Sequence, residues 1–330
     1  MTMRIAILGM GSVGRGILQA LAGKQSGLIV TAVADSRSAC INPEGLDLEL
    51  VLENKAQNGF CGDLSIGAVD VVRNAPYDIL VEVTPTDAIT GEPASTYIRE
   101  AISRGCHVVT SNKGPVALHY HSLAILAREK KVSFRFEATV AGAIPIIHTL
   151  LHNLGGNNIT SLYGVLNGTC NYILTRMAEE GLTYKQALDE ARTLGYAEAD
   201  PTYDVKGIDA AIKLVILANT VWKKNITLDD VDITGIDLLT EAALRLADEQ
   251  DATIRLIGEI IPAQNIYRLC PRIISKDHPL VVHGSLNAII VRTDLAGDLV
   301  FVGKGAGSLE TASAVIGDIF TIRDTYAGGN

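Results

Sequence analysis

No two of the five cysteines (Cys40, Cys61, Cys106, Cys170, Cys270) stand in a CxxC pair, and their number is odd. Neither a zinc site nor a disulfide framework is therefore expected. No long run of Lys or Arg occurs, the formal net charge is −9 and the pI is near 5.3. That balance disfavours a nucleic-acid partner, whose phosphates need clustered cations. No apolar stretch approaches the ~20 uncharged residues that span a bilayer, so no membrane partner is expected. The amino-terminal MTMRIAILGMGSVG does not read as a signal peptide, because its short apolar run enters a glycine fingerprint directly. Repeats, low-complexity segments and a Pro/Ser-rich linker are missing too, and the expectation is a soluble cytoplasmic protein. What is present is apolar substance: 48% of the 330 residues are hydrophobic and mean hydropathy is +0.24. A chain of this size builds two domains or one large one, with apolar surplus for a subunit interface.

Residues 3 to 8 (MRIAIL) read as a strand buried on both faces, and Val13 to Leu21 follow with helical spacing. LIVTAVAD, ending at Asp35, is a second strand, and DILVEVTP (Asp78 to Pro85) and HVVTSNK (His107 to Lys113) carry further strand signals. TYIREAISRG and VALHYHSLAILAREKK are helical patterns between and after them. Such alternation argues for parallel βαβ units. After about residue 137 the pattern changes. IIHTLLHNLG reads as a helix stopped by Gly155 and Gly156, NITSLYGVLNG as a strand, and Thr169 to Glu180 and Tyr184 to Leu194 as helices. ATIRLIGEII, IYRLCPRII, NAIIVRTD and DLVFVGKG are later strands that suit a mixed sheet with helices on one face. The expected fold class is α/β: a Rossmann-type dinucleotide-binding domain over 1–137, rejoined by a C-terminal helix of about 308–330, and an α+β domain with a mixed sheet over 138–307.

Gly9-Met10-Gly11-Ser12-Val13-Gly14 is a GxGxxG fingerprint placed after a strand and opening a helix. The first glycine permits the tight turn, the second lets backbone approach a pyrophosphate, and the third lets the helix pack closely. The helix amino terminus offers N–H groups and partial positive charge to phosphate. Asp35 ends the second strand, the usual place for an acid that binds the adenosine ribose. Ser36 and Arg37 follow it and suit a 2′-phosphate, so the cofactor reading is NAD or NADP.

LGYAEADPTYDVKGIDAAIKLVILA, from Leu194, places Asp209 and Lys213 four apart on one helical face, among apolar neighbours. Glu198, Asp200 and Asp204 crowd acids just upstream. A lysine can pass a proton to or from a carbinol oxygen while a carboxylate orients it. The residues alone leave this open against an ordinary i,i+4 ion pair.

GYAEADPTYDVKGIDAAIK closely resembles the substrate-site signature of homoserine dehydrogenases, and the fingerprint, TSNKGP, EATVAGAIP and GKGAGSLETASAVIGDI fit that family in order and spacing. The resemblance covers essentially the whole chain. It implies interconversion of L-homoserine and L-aspartate 4-semialdehyde with NAD or NADP, and a catalytic and dimerisation role for the second domain in a homodimer. Lys213 would be the proton donor, with Asp209 beside it; Glu198 would hold the substrate's amino group and Asp204 would line the pocket. Lys113 would lie between nicotinamide and substrate and share acid–base work. Thr84 and Pro85 would border the nicotinamide, and Gly305 would approach the cofactor from the other side. EATVAGAIP implies a sodium-binding turn through the carbonyls of Glu137, Val140, Gly142 and Ile144; the alternative is a small-residue hinge. Carbonyls suit a hard monovalent cation. Tyr203 stands where many relatives have an acid, which bears on substrate hydrogen bonding. The resemblance is to a short form, for which no flanking kinase or regulatory domain, and no feedback by threonine through one, is expected.

Two other readings compete. A cysteine-dependent semialdehyde dehydrogenase would use Cys170 or Cys106, and would need a thiol activated by a histidine or helix terminus. A non-catalytic dinucleotide-sensing protein would bind cofactor without turnover and leave the acidic signature unexplained.

Overall fold

The computed structural model describes residues 2–23 and 26–327. They form two compact units: one holds the residues up to Gly142 together with those from Gly307 onward, the other runs from Ala143 to Ala306.

The first unit is built from β1 (Met3–Leu8), α1 (Ser12–Leu21), β2 (Leu28–Ala34), β3 (Ala39–Ile41), α2 (Leu48–Asn58), α3 (Ala68–Asn74), β4 (Ile79–Glu82), α4 (Ala94–Ser103), β5 (His107–Thr110), α5 (Lys113–Lys130) and β6 (Phe134–Arg135). The strands stand in the order β3-β2-β1-β4-β5-β6, parallel except for β3. Side chains alternate across this sheet. Ile5 and Ile7 face α1 through Ile17 and Leu18, while Ala6 and Leu8 join the cluster of Val72, Ile98, Ile102 and Leu123 from α3, α4 and α5. Burial on both faces explains why these strands are uniformly apolar. Strand order reverses between β1 and β4, and in open α/β sheets ligands bind beyond the carboxyl ends of strands at such a point.

The second unit comprises α6 (Ile146–His148), β7 (Ile159–Val165), α7 (Gly168–Glu180), α8 (Tyr184–Thr193), α9 (Thr202–Val205), α10 (Ile208–Val221), β8 (Asp232–Ile233), α11 (Glu241–Asp248), β9 (Ala252–Ile261), β10 (Ile266–Ser275), β11 (Leu286–Thr293) and β12 (Asp298–Lys304). Its sheet runs β12-β11-β7-β9-β10-β8, antiparallel except for β8 against β10. Helices α7, α10 and α11 lie against β9. The chain ends in α12 (Ser308–Ala327), which packs on α1 in the first unit and contributes Val315, Ile319 and Ile322 to that core. Residues 328–330 of the expected final helix lie outside the described residues.

Several elements differ from expectation. β3, α2 and α3 form within residues 36–77, where no element was expected. Helix α5 starts at Lys113, ahead of Val116, because the Asn112 side chain accepts from Gly114 N–H at 3.1 Å and caps it. The helix expected over IIHTLLHNLG is one short α turn followed by a π turn over Thr149–Asn153.

Candidate active site

The glycine turn is shaped by contact. Gly9 has φ +108°, and a Cβ there would stand 2.4 Å from the Val83 carbonyl oxygen. A Cβ on Gly14 would stand 1.9 Å from the Gly9 carbonyl oxygen, so the third glycine closes the helix onto the turn itself. Gly11 differs: its backbone suits any residue, and a Cβ would meet nothing within 4 Å. The space above Gly11 is open, and α1 begins at Ser12 with no acidic residue in its first turn. Val13, in that turn, packs against the core and fixes the helix on the sheet. This is what a pyrophosphate requires.

Asp35 follows β2, as an adenosine-ribose acid should, but its carboxylate is filled by its own domain. One oxygen accepts from the N–H groups of Arg37 and Ser38, both at 2.8 Å. The other accepts from Lys55 Nζ at 2.7 Å and from Cys61 N–H at 3.0 Å. Burial opposes its ionisation, but Lys55 and the two loop N–H groups outweigh that and bring the pKa down to about 2. A ribose hydroxyl would have to displace one of these donors. Arg37 is exposed, with Nη2 donating to the Gly59 carbonyl at 2.7 Å. Lys55, on α2, was not anticipated; α2 carries little amphipathic signal to announce it.

At the carboxyl end of β4, Thr84 is partly buried and Pro85 exposed. Asn112 donates to the carbonyls of Thr84 at 3.3 Å and Pro85 at 3.2 Å, joining this turn to the one that opens α5 with Lys113.

In the second unit the acidic signature resolves into a buried cluster. Asp209 and Lys213 sit on α10, whose residues 209–220 are all buried. Lys213 Nζ donates to Asp209 Oδ2 at 2.6 Å and to the Leu166 carbonyl at 2.7 Å. The ordinary surface pair is thereby excluded: both side chains are about nine-tenths covered, with exposures of 9% and 11%. Asn167, at the end of β7, donates to Asp204 at 2.6 Å and Asp209 at 3.0 Å, while its own oxygen caps α7 at Cys170 N–H (2.8 Å). Burial pushes the Asp204 carboxyl above its ordinary value; Asn167 opposes this and the Asp209 charge adds to it. Asn167 was also unanticipated, although an Asn between a strand and a helix is a capping signal.

Glu198 stands exposed on the turn between α8 and α9, outside this cluster. The Tyr203 hydroxyl is enclosed with no hydrogen-bond partner among the described residues. Gly305 follows β12, and a Cβ there would stand 2.0 Å from the Asn287 amide nitrogen, so no side chain fits. In EATVAGAIP, Glu137 begins a 3-10 turn, Val140 and Ile144 are buried, and Ala141 and Gly142 are both left-handed with φ of 58° and 54°.

A thiol nucleophile fits neither cysteine. Cys170 is fully buried and donates to the Asp204 carbonyl at 3.2 Å; burial and the charges of Asp204 and Asp209 push its thiol well up. Cys106 is buried against the Tyr77 carbonyl, and burial raises it too. The cysteine-dependent reading falls on this ground.

A turn cleared for pyrophosphate in one unit and a buried amine clamped to a carboxylate in the other divide the work as NAD(P)-dependent oxidoreductases do. A family model described as "Homoserine dehydrogenase" matches residues 145–320, and one described as "Homoserine dehydrogenase, NAD binding domain" matches residues 9–137. A homoserine dehydrogenase of Methanocaldococcus jannaschii is 44% identical over 97% of this chain and 98% of its own length. An NAD(+)-dependent homoserine dehydrogenase of Pseudomonas canavaninivorans is 37% identical over 98% of this chain and 96% of its own. A solved hyperthermophilic archaeal homoserine dehydrogenase in complex with NADPH superposes with a TM-score of 0.84 at 32% identity, covering 100% of this chain and 99% of that one. The chain belongs to the homoserine dehydrogenase family. No helix among the described residues is long and apolar enough to cross a membrane.

Proposed function

We propose that the protein interconverts L-homoserine and L-aspartate 4-semialdehyde with NAD or NADP, in the cytoplasmic biosynthesis of threonine, methionine and isoleucine. The buried Asp209–Lys213 pair, within a family match that spans the chain, carries this reading. Bound NAD(P) supplies the acceptor for the hydride leaving the carbinol carbon. Gly9, Gly11, Ser12, Val13 and Gly14 bind its pyrophosphate, a reading supported by the open space beside Gly11. Lys213 takes the hydroxyl proton during oxidation and returns it to the developing alkoxide during reduction. Asp209 holds the amine in place, and Asn167 fixes Asp209 against Asp204. Glu198 takes the substrate ammonium, for which an exposed carboxylate is available before substrate arrives. Lys113 assists at the reacting end, with Thr84, Pro85 and Gly305 around the cofactor. Arg37 follows Asp35 in the chain and Lys55 is bonded to it, so these two cations would accept the 2′-phosphate of NADP as well as leave room for NAD.

The carbonyls of Glu137, Val140, Gly142 and Ile144 hold a sodium ion in the same reading. An all-carbonyl donor set around two successive left-handed residues fits a hard cation. The working form is a homodimer joined through the second unit. Its edge strand β12 leaves Val300 and Val302 46% and 51% exposed, apolar surface that a two-fold pairing would cover.

The test is purified protein with L-homoserine and NAD or NADP at alkaline pH, followed at 340 nm. No absorbance change in a folded sample with either cofactor overturns the reading. A monomer at micromolar concentration in sedimentation overturns the dimer.

A further inference from the structure

We propose that Glu82 is a positioning residue for the nicotinamide end of the cofactor site, fastening the turn that carries Thr84 and Pro85 to the one that carries Lys113. This rests on the reading above that those residues border the reacting end.

Glu82 closes a strand that is otherwise Ile79, Leu80 and Val81, and it is fully buried. Its cross-strand neighbours are Leu8 on β1 and Thr110 on β5. The other three residues of the strand show that apolar side chains suit that layer of the sheet. Instead there is a carboxyl group, and no cation is among its partners within the described residues. One oxygen accepts from the Thr84 N–H at 2.9 Å and from the Thr84 hydroxyl; the other accepts from the Thr110 hydroxyl at 2.9 Å. Sealing a carboxyl group away from water without a counter-charge is expensive, and sheet packing alone does not call for it.

What the group achieves is a connection. Thr110 passes it on by accepting from Asn112 N–H at 3.0 Å. Asn112, 1% exposed, then donates to the Thr84 and Pro85 carbonyls and caps α5 beside Lys113. Two turns from different strands are thereby held in one register at the carboxyl edge of the sheet. The Val83–Thr84 peptide lies directly against Gly9, but the Val83 N–H donates to the Leu8 carbonyl at 2.8 Å, a bond that does not involve Glu82, so the glycine turn keeps its own support. A loosened pair of turns should misplace the nicotinamide while leaving the pyrophosphate turn at Gly11 intact.

The experiment compares the dissociation constants of NADH and ADP-ribose, which lacks the nicotinamide, on the full-length protein. Glu82→Leu is expected to weaken NADH about tenfold or more and ADP-ribose by less than about twofold. It should also lower kcat more than it raises KM for homoserine. Glu82→Gln is expected to stay within about threefold of wild type for NADH, because its amide oxygen still accepts from Thr84 and the Thr110 hydroxyl can turn to accept from its NH2. Should Glu82→Leu not fold, Thr110→Val replaces it, with the same selective loss of NADH expected. Parallel loss of both ligands means a merely structural role and overturns the proposal, as does unchanged NADH binding. Wild-type protein that binds ADP-ribose as tightly as NADH removes the underlying reading of Thr84 and Lys113, and the proposal with it.

Discussion

Replacing Lys213 with alanine removes an amine that donates at 2.6 Å to Asp209 and at 2.7 Å to the Leu166 carbonyl inside a buried helix face. Two losses follow, and they are separable. Breaking a buried ion pair from one side costs about 3–5 kcal/mol, a large part of the ~5–15 kcal/mol that holds a domain together. Losing a positioned acid–base group costs turnover about a hundred- to ten-thousand-fold. Cofactor affinity should be almost unchanged, since the pyrophosphate turn belongs to the other unit. The double variant Asp209→Asn/Lys213→Met removes both charges and keeps similar volume, so most of the lost stability should return. Its turnover should not. The assay pairs urea unfolding of each variant with kcat at 340 nm under saturating homoserine and cofactor. A folded Lys213→Ala enzyme with near-normal turnover would refute the reasoning: proton transfer would then pass to Lys113, and the pair would be structural.

Gly11→Val should fold normally yet lose cofactor binding, because the side chain enters space that only a ligand occupies; Gly14→Ala, facing a carbonyl at 1.9 Å, should instead lower the melting temperature. Arg37→Ala should weaken NADP more than NAD in steady-state kinetics, and an equal response of both would remove the 2′-phosphate role. Asp35, held at a pKa of about 2 against an ordinary 3.8, contributes about 2 kcal/mol that is present above roughly pH 4 and lost as pH falls toward 2. The gap in stability between wild type and Asp35→Asn should therefore narrow across that window; a gap that stays constant refutes it. Glu198→Gln should raise KM for homoserine with kcat nearly kept, since an amide holds an ammonium less well than a carboxylate.

The parallel sheet was legible because burial on both faces leaves an unbroken apolar record, as in MRIAIL and LIVTAVAD, and because GxGxxG has a geometric meaning at a strand–helix junction. The mixed sheet was legible for its long strands and not for the two-residue β8. Helix α2 stayed hidden because it buries only Val51, so it leaves almost no periodic trace, and Lys55 was hidden with it. The start of α5 was misread because a cap is a side-chain decision at Asn112, not a pattern of hydrophobicity. At the site, the i,i+4 spacing of Asp209 and Lys213 was visible but its burial was not: depth depends on what α9, β9 and β10 place around the helix. Asn167 and Glu82 act through partners distant in sequence, Asp204 in one case and Thr110 in the other. Spacing cannot report that. The Asp35 assignment rested on position alone, and position does not reveal that Lys55 and Cys61 fill the carboxylate first.

Because α12 supplies Val315, Ile319 and Ile322 to the core begun by β1 and α1, the mixed-sheet unit is an insertion in the middle of the nucleotide-binding one. On a ribosome, the nucleotide-binding unit stays short of its last core helix until the inserted unit has been made. At ~5–20 residues per second, the roughly 165 residues between Gly142 and Ser308 take about 10–30 s. The inserted unit, whose sheet closes within its own stretch of chain, is complete first. During that interval the faces of α1 and β5 that await α12 are exposed apolar surface of the nascent protein, a place where a chaperone would act or aggregation would begin.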